Sequence, residues 1–193
     1  GYDEAWFDRL ANERDLKTIL GRARELADSP VALAAVAPAQ RQILANRLAF
    51  VLRGATTRQP GLKLTGAMLA ARLGLPAADC DWPAAVREFL QDGALVAVLH
   101  DLPARDLAPA LEFFWTQDAA ATRMALLAQF RHLHFGALQE ALGLLLKQGA
   151  GEECRQIFAE ACATHLIRQE MLLWILKNSR QAEEWDLPSA TVL

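Results

Sequence analysis

Thiols and imidazoles are the side chains best suited to holding a metal or making a nucleophile near neutral pH, and five of them fall in the last third of this chain. Cys154, Cys162 and His165 lie on one predicted helix, with Cys162 and His165 three residues apart and so on one side of it. Cys154 precedes Cys162 by eight residues, roughly two turns. His132 and His134 stand upstream, across the Gly149-Ala150-Gly151 turn. A metal site or a Cys162–His165 nucleophile pair can be drawn from these groups, giving a thiol- or metal-dependent enzyme. The spacing matches no ligand signature, however. His132 and His134 are two apart and point to different faces of a helix, and a free Cys on an apolar face ordinarily serves as a small core residue. The expectation is therefore no metal, no cofactor and no catalytic residue.

Carboxylates offer acid–base chemistry only where burial or a like charge sets them apart. Glu152-Glu153, Glu183-Glu184 and the Asp79/Asp81 pair each lie at a helix start or in a polar tail. Acidic groups at helix N-termini answer the helix dipole and need no catalytic explanation. The chain has no GxGxxG, GxxxxGK[ST], GxSxG or HExxH motif. A non-enzymatic role is expected.

The basic residues are more informative. From Pro30 to Arg72 there are six bases (Arg41, Arg47, Arg53, Arg58, Lys63, Arg72) and no acid. From Leu73 to Ala121 there are eight acids and two bases, so a +6 block runs directly into a −6 block. Inside the first block, Leu64-Thr65-Gly66-Ala67-Met68-Leu69-Ala70-Ala71-Arg72-Leu73-Gly74-Leu75 reads as a short helix capped by Thr65 and stopped at a glycine turn. A second helix starts at Asp81-Trp82-Pro83. The segment from about 62 to 100 resembles the first helices of a helix-turn-helix or winged helix, with Ala94–Leu99 as the one stretch that could serve as a strand. That resemblance implies a nucleic-acid-binding domain using Arg58, Lys63 and Arg72. Against it, the would-be recognition segment Ala77–Gly93 carries four acids and only Arg87, so a phosphate backbone would repel it. The leading expectation is instead that the block meets an acidic partner protein, or the chain's own acidic block.

Large aromatics supply a further clue. Five of the fourteen aromatic residues are Trp, and Phe113-Phe114-Trp115 places three rings in a row, so at least one points away from its own helix's core. Trp115, and Trp185 in a polar tail, are the candidate anchors, Trp being enriched at interface centres.

The elements that must position these groups are helical. The 193 residues include 37 Ala and 33 Leu against 7 Val and 5 Ile, which favours helices and leaves little for a sheet. At 53% hydrophobic and 22% charged, the composition excludes wholesale disorder. Three Cys and no signal peptide indicate a reducing, cytoplasmic setting. No apolar run reaches the length of a membrane span. The start Gly1-Tyr2-Asp3, without Met, suggests a piece of a longer protein. The reading is an all-α bundle of about eight to ten helices. An N-terminal segment (1–61) would lead into a helix-turn-helix-like middle (62–117), then a long antiparallel helix pair with a tail (118–193). Its expected role is a protein–protein interaction module (regulatory, adaptor or assembly domain) contacting its partner through Arg41, Arg47, Arg53, Arg58, Lys63, Arg72, Trp115 and Trp185.

Overall fold

The computed structural model describes residues 1–55, 58–91, 93–163, 168–178 and 180. The fold is all-α: among the described residues there are twelve α-helices and no strand. The chain divides into two compact units, Gly1–Leu102 and Pro103–Leu193.

The first unit holds α1 (Glu4–Asn12), α2 (Leu16–Ala27), α3 (Pro30–Ala34), α4 (Pro38–Gly54), α5 (Pro60–Arg72), α6 (Trp82–Phe89) and α7 (Ala94–Asp101). Their starts follow from local chemistry. The Asp3 carboxylate accepts from the Trp6 N–H at 2.9 Å and the Asp15 carboxylate from the Thr18 N–H at 2.9 Å, each taking up a backbone donor that the first turn leaves over. Proline at the first position opens α3, α4 and α5, where its missing N–H is no loss. The polar stretch Asn12–Asp15 separates α1 from α2 and adds to the helix count.

Helix α5 is the hub, packing against α2, α4, α6 and α7. Its buried positions include Gly61, Gly66, Ala67 and Ala70, small residues that let neighbouring backbones come close. A Cβ on Gly66 would sit 3.2 Å from Val51 Cγ1 of α4, so glycine sets that separation. The core around it comprises Leu10, Ile19, Leu26, Leu44, Leu48, Leu64, Leu95 and Leu99, all essentially inaccessible to solvent.

Two expectations are corrected here. Ala94–Leu99 is the body of α7, not a strand. Leu95, Val98 and Leu99 are fully buried while Ala97 is exposed, the i, i+3, i+4 spacing of a helix face. The winged-helix arrangement thereby loses its strand. Thr65 does not cap α5 either, because the helix begins five residues earlier at Pro60. The Thr65 hydroxyl lies inside it, donating to the Gly61 carbonyl at 2.8 Å. The α5 N-terminus is instead capped from a distance: the Gly61 N–H donates to the Asp101 carboxylate at 2.8 Å, across 40 residues of sequence.

The second unit holds α8 (Ala104–Gln117), α9 (Ala119–Gln129), α10 (Phe135–Lys147), α11 (Gly151–Ala163) and α12 (Arg168–Lys177). Helix α8 packs on α9 and α10, α10 on α11, and α11 on α12, around Leu111, Phe114, Leu126, Leu142, Leu145 and Phe158. Asp118 caps α9 through the Ala121 N–H at 2.9 Å. A 3-10 turn at Phe130–His132 separates α9 from α10, after which His134 Nδ1 accepts from the Ala137 N–H at 3.1 Å and starts α10. No helix among the described residues is long and apolar enough to cross a membrane.

Candidate interaction surface

The six basic residues from Arg41 to Arg72 do not form one patch. On α4, Arg41, Arg47 and Arg53 recur every six residues, a rotation of about 240° per step, so they leave the helix in three directions. Arg47 turns inward. Its guanidinium donates to the Glu13 carbonyl at the end of α1 at 3.0 Å and lies 5.1 Å from the Phe50 ring centroid. A cation at the last carbonyls of α1 complements that helix's dipole. Lys63 Nζ pairs with Glu88 at 2.6 Å, joining α5 to α6, and Arg72 pairs with Asp28 at 2.7 Å, joining α5 to the end of α2. Three members of the block therefore hold the first unit together. Arg41, Arg53 and Arg58 are exposed, and none of the three has an ion-pair partner among the described residues.

Near Lys63 the surface is concave. A cleft of about 250 Å³ is lined by Pro60 and Lys63 of α5, Glu88 and Phe89 of α6, and Ala94 and Ala97 of α7, with Ala55 at its edge. Apart from the Lys63–Glu88 pair, the described residues of its wall are apolar. Arg53 and Arg58 each stand two residues from a wall residue, Ala55 and Pro60 respectively. A second, polar concavity of about 410 Å³ lies among Asp8, Arg9, Asn12, Glu13 and Arg22. There two carboxylates offset two guanidinium groups, so no charge preference results. Glu13 is held below the ordinary carboxylate range chiefly by the backbone N–H groups of Asp15 and Arg14, with Arg22 helping.

The tryptophans divide among packing roles. Trp115 is half-buried, with the Arg123 guanidinium 5.5 Å from its ring centroid and that same guanidinium 3.5 Å from the Glu153 carboxylate. Trp82 Nε1 donates to the Leu75 carbonyl at 2.9 Å, Trp174 packs on Phe158, and Trp6 stacks edge-on with Tyr2 and Phe7. Trp185 lies outside the described residues.

Two of the three thiols, Cys80 and Cys154, are buried. Cys154 is fully buried, its Sγ donating to the Leu142 carbonyl at 3.5 Å, and burial pushes its pKa up to about 12. Burial likewise raises Cys80 to about 11, with the Arg53 charge pulling the other way and Asp81 and Asp79 adding to the rise. A reactive Cys needs the opposite, a depressed pKa. Cys162 is half-buried on α11, while His165 lies outside the described residues. His132 and His134 are exposed, and among the described residues no three His, Cys, Asp or Glu side chains converge as a metal site would require.

Sequence reasoning found the basic residues but not the cleft, the Lys63–Glu88 pair or the Arg123 cover on Trp115. Those depend on residues up to 42 positions apart, Ala55 to Ala97 across the cleft, and no local spacing signals them. No protein-family model, curated protein or solved structure matches this chain.

Proposed function

We propose that the chain is a non-enzymatic interaction module, a regulatory, adaptor or assembly domain working in the cytoplasm, which presents exposed arginines of its first unit to an acidic surface of another protein. One observation carries this reading: of six bases in an acid-free stretch, three are spent on internal contacts, whereas Arg41, Arg53 and Arg58 are exposed and have no ion-pair partner among the described residues. Exposed charges of one sign raise association rates and select partners more than they raise affinity. Three free cysteines fit a reducing compartment.

A second reading, nucleic-acid binding through the 41–72 block, draws on the same arginines. It has fewer of them to use, since Lys63 and Arg72 are already neutralised within the unit and the three α4 arginines diverge. The test compares wild type with the Arg53→Glu/Arg58→Glu double variant by quantitative cross-linking to co-purifying proteins at low and high salt, beside DNA and RNA mobility shifts at ~50 mM salt. The interaction reading expects a protein partner that the variant loses and that salt weakens. A partner held equally by both chains contradicts it, and so does salt-sensitive nucleic-acid binding that the variant abolishes.

A further inference from the structure

We propose that the cleft between α5, α6 and α7 seats one apolar side chain of an acidic partner segment, and that Glu88 is a built-in competitor for that partner's carboxylate. This rests on the interaction reading above and names the chemistry of the partner.

Size is the first argument. At about 250 Å³ the cleft is below the usual range for small-molecule pockets, yet large enough for a single Leu or Phe side chain. Its lining is the second. Phe89, Ala94, Ala97 and Pro60 offer apolar contact, so a phosphate backbone or a purely charged segment would leave the floor unused. Charge is the third. The cation among the described wall residues, Lys63, has a side chain only 26% exposed, whereas that of its partner Glu88 is 63% exposed. Glu88 thus occupies the solvent side of the pair, where an arriving carboxylate can replace it and leave Lys63 neutralised throughout. An exposed pair of this kind is worth little, so the exchange is cheap. Arg53 and Arg58, exposed and two residues along the chain from the wall residues Ala55 and Pro60, supply positive charge for further acidic residues of the partner segment. The complement of this surface is an apolar residue flanked by carboxylates.

The experiment is a methyl NMR titration of the full chain, labelled at alanine methyls, with synthetic peptides. The probe carries a central Leu flanked on each side by two Glu. One control replaces Glu by Lys and a second replaces Leu by Ala. The probe is expected to shift the Ala94 and Ala97 methyls, and the controls are not. Lys63→Ala should weaken binding about fivefold, while Glu88→Gln should tighten it about two- to fivefold by removing the competitor. Ala97→Phe, at an exposed position on α7, should fill the cleft and abolish the shifts without disturbing the core. Unmoved Ala94 and Ala97 methyls overturn the proposal, as does a Glu88→Gln variant that binds no more tightly. It is equally overturned if the Lys peptide or a short single-stranded RNA shifts those methyls more than the probe does. A natural partner lost by the Arg53/Arg58 variant but indifferent to Ala97→Phe overturns the seat alone and leaves the interaction reading standing.

Discussion

Individual side chains in this protein are more informative for where they are engaged than for what they are. Lys63 and Arg72 look alike in sequence to Arg41 and Arg58, but among the described residues only the first two close an ion pair. That difference depends on Glu88 and Asp28, which lie 25 and 44 positions away and therefore could not be read from spacing. The thiols were more legible: an unpaired Cys on an apolar helix face suggested a core residue, and Cys154 is one. Its burial has a pH consequence. The folded-state pKa is raised from 9.0 to about 12, so the neutral thiol favours folding fully below pH 9. That contribution is lost as pH rises from 9 toward 12. Denaturant melts should therefore show stability falling across this alkaline range, and Cys154→Ala should flatten the fall; an unchanged slope would contradict the burial account. By the same reasoning, Cys80 and Cys154 should resist alkylation at pH 8 until the chain unfolds, as mass spectrometry of trapped thiols can check. Asp101 is a second residue whose role is invisible in sequence. Removing its carboxylate leaves the Gly61 N–H without its acceptor, so Asp101→Ala should cost about 1 kcal/mol, and Asp101→Asn, which keeps an acceptor, should cost less.

At the scale of elements, the errors of the sequence reading have identifiable causes. Ala94–Leu99 looked like a strand because it is a short apolar run containing two valines. The helical spacing of Leu95, Val98 and Leu99 was present all along, and a lone strand would have had no partner for its backbone. Thr65 looked like a cap because Thr often is one, yet Pro60 carried the stronger start signal. The Phe130–His132 turn was not legible because leucines keep their helical period on both sides of it. Two substitutions test the elements as observed. Ala97→Gly, on the exposed face of α7, should lower stability by about 1 kcal/mol, the cost of glycine inside a helix. Gly66→Val should cost roughly 1–3 kcal/mol by forcing α4 from α5, because a Cβ there already stands 3.2 Å from Val51 Cγ1. Thermal or denaturant unfolding reads both.

For the whole molecule, a net charge of −3 conceals a +6 stretch followed by a −6 stretch. The all-α class was legible from the Ala and Leu content and from the caps and prolines that begin several of the helices. How the charge blocks would be used was not, because folding consumes half of the basic one inside the first unit. What folding leaves exposed, Arg41, Arg53 and Arg58, is the basis for reading this chain as an interaction module. The most direct check is the salt dependence of binding to a purified partner, measured by calorimetry for wild type and for Arg53→Glu/Arg58→Glu. The account predicts that wild-type affinity falls as salt rises, and that the double variant binds at least tenfold more weakly at low salt, roughly 1.4 kcal/mol, with a flatter salt profile. Equal affinities and equal salt slopes for the two chains would contradict it.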